Sequence, residues 1–423
     1  MVNLRYEIVE QNASSFGGLH AIAFLLDRIK IKELFDNVFG RIRRVRRYHP
    51  MDNISFLISS ILCGGDRLSD IERLSGDDVS QELFGGETLP CDTTIRDDLL
   101  RLGDLNSERR ELLFQLNELL ISKYKPATMT IDMDGTSTSV EGHQEYAEKG
   151  YCPENIGSRC FQHRIISWHE MGMILSIETY PGNTHCSYGS VDSIGLVLDR
   201  FAPQVEHILV RLDSGFYSEE MLEKLESYGN VEYEVVARGL GAIAEDLSDD
   251  RFKSYHGSER EYGTFRHFMG GKVRVYYVER SLRDMDQGVL FDEVRWVYRI
   301  IVSNRSGKQP HKLFDEYNHR GCQEQLICEL KSEFALGSIV SGDFCVTIAA
   351  AWVSALACTI MGLFRKIALR LEYRRFRMKR IRYWFINIVA KLVKHGGRKI
   401  LKLFCPPIGQ WRYDKIIQRI AAL

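Results

Sequence analysis

The sequence predicts an α/β protein: a layered core of strands and helices, interrupted by a β insertion and flanked by helical regions at both ends. Three observations carry this. Apolar residues before about residue 125 recur with a helical period. From Ala127 the period drops to two, and strand-like and helix-like stretches then alternate as far as Ala237. Late in the chain comes an apolar helix, then a strongly basic tail.

Leu19 to Phe39 and Asn53 to Cys63 carry helix-period apolar residues. Asp92, Thr93 and Thr94 read as a helix start, with Ile95, Leu99, Leu100 and Leu102 as the apolar face. Thr93, Thr94, Arg96 and Arg101 would either face DNA or decorate an ordinary capped helix. In the core, Met129, Ile131 and Met133 alternate with Thr130, Asp132 and Asp134. Arg164–Trp168 and Met173–Tyr180 read as two more strands, Val191–Phe201 as a helix and His207–Leu212 as a strand ending at Asp213. Tyr217–Tyr228 reads as a helix and Val231–Ala237 as a fifth strand. From Gly239 to Lys308 the chain leaves this pattern; Lys272–Val278 and Arg295–Ser303 suggest an antiparallel sheet inserted before the next helix.

Composition bounds the function. The 423 residues suffice for two or three domains. The formal net charge is −1, so no global basicity points to nucleic acid, but the charge is uneven. Arg41, Arg43, Arg44, Arg46 and Arg47 cluster near the start, and between Arg365 and Lys402 Glu372 is the only acid. Such local patches are what bind a polyanion. Ten cysteines without a CxxC pair suit a reduced, cytoplasmic chain. Met1 to Glu10 lacks the apolar stretch of a signal peptide. Phe344 to Leu363 has no charge and is long enough to span a bilayer, but its threonine, serine and alanine content suits a buried core helix.

The densest chemistry lies near Tyr317. On one continuous helix Tyr317, Arg320, Glu324 and Lys331 would share a stripe about 60° wide. An aromatic hydroxyl, two cations and a carboxylate on one face suit a phosphate held beside a metal ligand. As an exposed face, the Arg320–Glu324 pair would be an ordinary i,i+4 ion pair, which leaves Tyr317 and Lys331 unexplained. Two further carboxylates end apolar runs: Asp134 in Asp-Met-Asp-Gly-Thr and Asp213 in Leu-Asp-Ser-Gly-Phe. Asp132 shares a strand face with Asp134, so either could be the ligand; Asp213 could equally cap the following helix. Mg²⁺ prefers oxygen ligands, and two such ions can activate an attacking oxygen and stabilise a leaving one. Zinc on Cys152, Cys160, His163 and His169 matches no common spacing. A nucleophile elbow and a nucleotide-binding phosphate loop are both missing from the sequence.

Tyr317-x2-Arg320-x3-Glu324-x6-Lys331 resembles the Tyr-Arg-Glu-Lys signature of a large branch of bacterial insertion-sequence transposases, which are DDE enzymes. Asp134 before Gly-Thr and Asp213 in Leu-Asp-Ser-Gly-Phe resemble the settings of that family's two aspartates, and Pro181-Gly182-Asn183 is similar to a turn between them. The resemblance covers about residues 85 to 340. It implies a ribonuclease-H-like catalytic core with an inserted β subdomain. It implies cut-and-paste transposition, with cleavage at the element ends, often through a hairpin, and strand transfer into target DNA. Asp134, Asp213 and Glu324 would hold two Mg²⁺ ions, for which Mn²⁺ can substitute. Tyr317, Arg320 and Lys331 would contact backbone phosphate, with Arg43 and Arg44 as further phosphate contacts from the basic cluster. Trp296 is the candidate aromatic for a flipped base, although a strand position also suits a core role.

The expected division is a helical DNA-binding region over 1–125, the first part of the core over 126–238 and the β insertion over 239–311. The glutamate helix and final core helix take 312–372, and a basic helical region 373–423. The expected partners are double-stranded DNA, as terminal inverted repeats and target, and a second copy of the chain, in a bacterial cytoplasm and at the nucleoid when bound. The rivals are a catalytically inactive DNA-binding derivative and, from another class, a single-span membrane protein.

Overall fold

The computed structural model describes residues 13–45, 47–84, 89–255, 259–284 and 294–423. Met1–Glu10, and Arg46 of the basic cluster, lie outside the described residues. The chain forms two bodies, one from Met1–Gln115, Gly142–Glu145 and Glu329–Leu423, the other from Leu116–Glu141 and Tyr146–Cys328.

The first body is mainly helical: α1 (Leu19–Arg28), α2 (Ile31–Phe39), α3 (Pro50–Cys63), α4 (Asp92–Leu102) and the start of α5 (Asn106–Tyr124). Helix α3 begins where His49 is extended, its ring accepting from the Met51 N–H, with Pro50 in the first turn. It stops at Gly64, whose φ of 102° is the left-handed geometry a helix end favours. Gly103, just past α4, allows a close approach: a Cβ there would lie 2.4 Å from that of Cys345.

The second body holds a mixed sheet of ten strands among the described residues. Its main strands are β1 (Thr128–Val140), β2 (Arg159–Trp168), β3 (Met173–Pro181), β4 (His207–Leu212), β5 (Val231–Ala237), β6 (Arg260–Met269), β7 (Lys272–Asp284) and β8 (Val294–Ser303). They run in the order β3-β2-β1-β4-β5-β8-β7-β6. β1, β2 and β3 pair antiparallel, and β1, β4 and β5 pair parallel. Helices α6 (Ser190–Phe201) and α7 (Glu219–Glu226) form the crossovers into β4 and β5. The five predicted core strands and both intervening helices are present.

Three expectations need correction. The β insertion is no separate sheet: β8 pairs antiparallel with β5, so β6–β8 extend the central sheet. Pairing edge to edge satisfies the backbone groups that β5 would otherwise leave open. The single helix expected through Tyr317 is two, α8 (Pro310–Asn318) and α9 (Gly321–Glu333), with Arg320 in the turn between them. The four signature residues therefore do not share one helical stripe. The basic tail is not all helical: after α10 (Phe344–Ile367) it forms the hairpin β9 (Val389–His395) and β10 (Arg398–Phe404) before α11 (Pro407–Ala421). Leu401 and Leu403 alternate with the exposed Ile400, Lys402 and Phe404, and Gly396-Gly397 turns the chain, a hairpin pattern that the basic composition obscures. Strand β9 also pairs with the short strand Ala13–Ser14.

α10 is long and apolar enough to cross a membrane by length and composition, and most of it is buried inside the helical body. Trp352 within it donates its indole N–H to the Arg109 carbonyl at 2.9 Å. Its last turn holds Arg365, which pairs with Glu329 at 2.7 Å.

Candidate functional site

The parallel ladder between β1 and β4 ends at the register pair Met133–Leu212. The next residue on each strand is an aspartate, Asp134 and Asp213. β1 itself continues to Val140 against β2, so Asp134 is not at a strand end but at the end of parallel pairing. Two neighbouring strands thus deliver a carboxylate each to one place at the carboxyl edge. Asp134 Oδ1 accepts from the Gly135 N–H at 2.9 Å, and Asp213 Oδ1 accepts from the Gly215 N–H at 2.9 Å. Asp213 therefore caps a single 3-10 turn, Ser214–Phe216, while α7 takes its own cap from Ser218.

Burial raises the Asp134 carboxyl above its ordinary pKa; the Arg320 charge opposes this and the Asp213 charge adds to it. Arg320 Nη2 lies 3.2 Å from Asp134 Oδ2. The same nitrogen donates to the Met133 carbonyl at 3.1 Å, and Tyr317 Oη donates to the Leu212 carbonyl at 3.1 Å. Two signature side chains thus bind the carbonyls of the last paired residues, directly beneath the two aspartates. Both were expected on one helix face holding a phosphate, and both are buried: Tyr317 packs with Tyr262, Tyr277, Ile301, Leu313 and Phe314. Burial pushes the Tyr317 hydroxyl up to about 12. Its ring and hydroxyl are occupied within the protein, so the structure makes Tyr317 a positioning residue rather than a phosphate contact.

Asp132 is corrected as a ligand candidate. It is fully buried and both its oxygens are engaged: Arg211 Nε and Nη2 donate to them at 2.7 and 2.8 Å, and His169 Nδ1 lies 3.0 Å from Oδ2. Burial opposes its ionisation, but the hydrogen bonds from His169 and Arg211 outweigh this and hold the carboxyl below its ordinary range. Asp132 belongs to a buried row that crosses five strands in register, Ser167, Asp132, Arg211, Glu234 and Ser303. The α8–α9 region is fastened to this row. Arg211 Nη1 donates to the Glu316 carbonyl at 3.0 Å, Ser167 to the Gln323 side chain, and Arg305 bridges Glu234 and Glu316.

Glu324 is exposed in the first turn of α9. Among the described residues no three His, Cys, Asp or Glu side chains come close enough to share an ion. The structure thus brings Asp134 and Asp213 together and does not add Glu324 to them. The donor chemistry fits a divalent cation in part: two neighbouring carboxylates, one half-buried and raised first by burial and then by the other's charge, are a site that a cation would stabilise. Lys331 is half-buried in the last turn of α9, within the helical body. Sequence reasoning missed Cys186, whose Sγ lies 2.8 Å from where a Cβ on Gly215 would stand and whose thiol is raised by burial and then by Asp213. Its only sequence signal is that it follows the Pro181-Gly182-Asn183 turn.

Arg43 is also corrected. It pairs with Asp98 through both its Nε and its Nη2, the latter at 2.7 Å, and Asp98, itself buried, also accepts from Asn53 at 2.7 Å. Arg41, Arg44 and Arg47 are exposed, whereas Arg96 of α4 pairs with Asp343. Arg43→Ala is expected to destabilise the helical body by roughly 3 kcal/mol, because it removes the two-pronged partner of the buried Asp98 and leaves it only Asn53 and the more distant Arg101, at 4.0 Å. Arg44→Ala is expected to leave stability alone and to flatten the salt dependence of DNA binding by about one unit of slope. Urea unfolding and binding titrations at several salt concentrations check both. Trp296 is half-buried under the Arg280 guanidinium, 4.2 Å from the ring centroid, and is neither deep core nor free.

A mixed α/β sheet with an acid pair where a parallel ladder ends defines the class: an α/β protein with a carboxylate site on its strand edge. The chain belongs to the transposase DDE domain group 1 family, whose sequence model matches residues 3–423. Members of this family generally use divalent metal ions. No curated protein sequence matches the chain. Among solved structures, the piggyBac transposase synaptic complex with hairpin DNA is similar at 14% identity and a TM-score of 0.38, over 87% of this chain and 79% of that one. The NurA nuclease from Sulfolobus solfataricus matches at 14% identity and a TM-score of 0.21, over 57% and 85%. The Mos1 transposase paired-end complex with the left transposon end matches at 14% identity and 0.18, over 46% and 59%. At these scores the likenesses carry no argument, and family membership rests on the sequence match.

Proposed function

We propose that this chain is a cut-and-paste transposase of the insertion-sequence type, of the branch marked by Tyr317, Arg320, Glu324 and Lys331, with a ribonuclease-H-like core. The observation that carries the reading is the acid pair: Asp134 and Asp213 follow the last register pair of two parallel strands, above carbonyls bound by Arg320 and Tyr317. The strand order β3-β2-β1-β4-β5 supports the assignment of the core.

Asp134 and Asp213 would hold divalent ions, Mg²⁺ or Mn²⁺, with Glu324 as the third ligand. When bound, two such ions activate the attacking oxygen and neutralise the leaving one at a phosphodiester. Arg320 balances the Asp134 charge and would meet a phosphate if a cation took over that balance. Tyr317 and the Asp132–Arg211 pair keep the two strand ends in register. The exposed arginines of the 41–47 cluster and the basic tail would bind the inverted repeats and target DNA. A second copy would pair the two element ends, and a bent hairpin end would be the intermediate product. The setting would be a bacterial cytoplasm, at the nucleoid when bound. The position of Glu324, apart from the acid pair, favours one rival, a DNA-binding derivative that does not cleave.

The test uses a labelled duplex carrying the inverted repeat that flanks the gene, with Mg²⁺ or EDTA, and compares Glu324→Gln. Metal-dependent nicking at the repeat boundary, lost in Glu324→Gln with end binding retained, is the expected result. Binding without nicking in the wild type would establish the non-cleaving rival. Equal nicking by both proteins would remove Glu324 from the site.

A further inference from the structure

The segment after α10 combines charge and exposed rings in a way that folding does not explain. It runs through two short helical turns, Leu371–Arg374 and Met378–Ile381, into a π-helical turn, Arg382–Ile386. Its inner side is firmly held. Arg382 pairs with Glu333 at 2.8 Å and donates to the Leu62 carbonyl at 2.6 Å, while Met378, Ile381, Phe385 and Ile386 are buried. The wide π turn places the two consecutive residues Tyr383 and Trp384 outward together. They are 71% and 46% exposed, with ring centroids 5.8 Å apart and planes at 84°.

These rings share a cavity of about 840 Å³ with Arg375, Arg377, Lys379 and Arg380, all four exposed. Among the described residues no carboxylate pairs with any of the four cations; the nearby Glu372 pairs with Arg370. Arg412 also approaches the Trp384 ring, at 5.6 Å from its centroid. Four uncompensated charges within six positions repel one another, and two solvated aromatics forgo burial. Both costs are recovered together by a ligand with a repeating negative charge and a flat apolar face. A single nucleic-acid strand has both, since cationic grooves follow its backbone while aromatics stack on its bases. In a duplex the base faces are already covered, so only an unpaired stretch can reach the rings.

We propose that this cleft binds an unpaired segment of DNA, with Arg375, Arg377, Lys379 and Arg380 on consecutive phosphates and one base against Trp384 or Tyr383. It deepens the transposase reading and rests on it, because cleaving element ends exposes unpaired strand.

The experiment measures anisotropy of labelled oligothymidylate, and separately of the duplex carrying the flanking repeat, on the full chain over a range of salt. Trp384→Ala is expected to weaken oligothymidylate binding about tenfold, with Trp384→Phe restoring most of it and duplex affinity unchanged. Arg375→Gln with Lys379→Gln is expected to lower the single-strand salt slope by about 1.4, the yield of two lost phosphate contacts. All these side chains are exposed, so thermal melting should match the wild type. Oligothymidylate binding that both variants leave unaltered would overturn the cleft while leaving the transposase reading intact. Wild type that binds neither DNA would overturn both. Equal weakening of duplex and oligothymidylate by Trp384→Ala would overturn the stacking role. Tight binding to vesicles of acidic lipid that the same variants abolish, without oligothymidylate binding, would assign the cleft to a membrane surface instead.

Discussion

Asp134→Asn is expected to cut metal-dependent strand cleavage by at least roughly 10³-fold while repeat-end binding persists. The estimate follows from losing a cation contact worth several kcal/mol, at about 1.4 kcal/mol for each factor of ten. The change removes one charge and almost no volume. It also removes the partner of Arg320, whose Nη2 keeps the Met133 carbonyl at 3.1 Å while Nε has no partner among the described residues. A modest fall in melting temperature should therefore accompany the loss. Asp213→Asn should lose as much activity without that cost, because its hydrogen bond from the Gly215 N–H suits an amide oxygen equally well. The decisive comparison is cleavage of the repeat duplex by the two variants at matched occupancy. Wild-type rates in either would remove that carboxylate from the chemistry.

Asp132→Asn should behave in the opposite way, with a large loss of stability. The carboxylate is completely buried and receives two bonds from Arg211, itself 3% exposed, and one from His169. Neutralising it strands the guanidinium inside the sheet, which costs roughly 3–5 kcal/mol. The expected outcome is a lower urea midpoint for the sheet body. Binding of Mn²⁺ per folded molecule should be unchanged, since Asp132 is completely buried and both its oxygens are held by Arg211 and His169. A stable Asp132→Asn protein with weakened Mn²⁺ binding would make Asp132 the first ligand and overturn the assignment to Asp134. The pair of experiments separates two acids that lie two residues apart on one strand.

What could be read before folding, and what could not, follows from the range of the interactions. The five core strands and the two helices between them were legible because each announces itself over a few residues: the alternation of Met129, Ile131 and Met133, the apolar run before Asp213, the periodic face of Val191–Phe201. Asp213 was legible as a candidate for the same reason, closing the apolar run before it, whereas local spacing left Asp132 and Asp134 as alternatives on one strand. The hairpin of the tail was missed because lysines fill its exposed positions and mask the alternation. The break between α8 and α9 was missed because the spacing of Tyr317, Arg320 and Glu324 was read as one helix, although Asn318 and Gly321 beside the break are poor helix formers; in the folded chain Arg320, in that turn, reaches the Met133 carbonyl.

The sequence by itself determined the DDE transposase family and the order of strands and helices along the core, and it offered Asp132 or Asp134, with Asp213, as candidate ligands, since these depend on residue type and local spacing. Only the tertiary structure decided what each polar side chain does. Asp132 and Arg43 look like a metal ligand and a phosphate contact in the chain. They become structural ions because Arg211, on a strand beginning 75 residues after Asp132, and Asp98, 55 residues after Arg43, fold against them. Tyr317 looks like a surface hydroxyl and becomes a clamp because Leu212 offers it a carbonyl. A buried charge must find a partner, and the partner is chosen by three-dimensional proximity, which spacing along the chain does not encode.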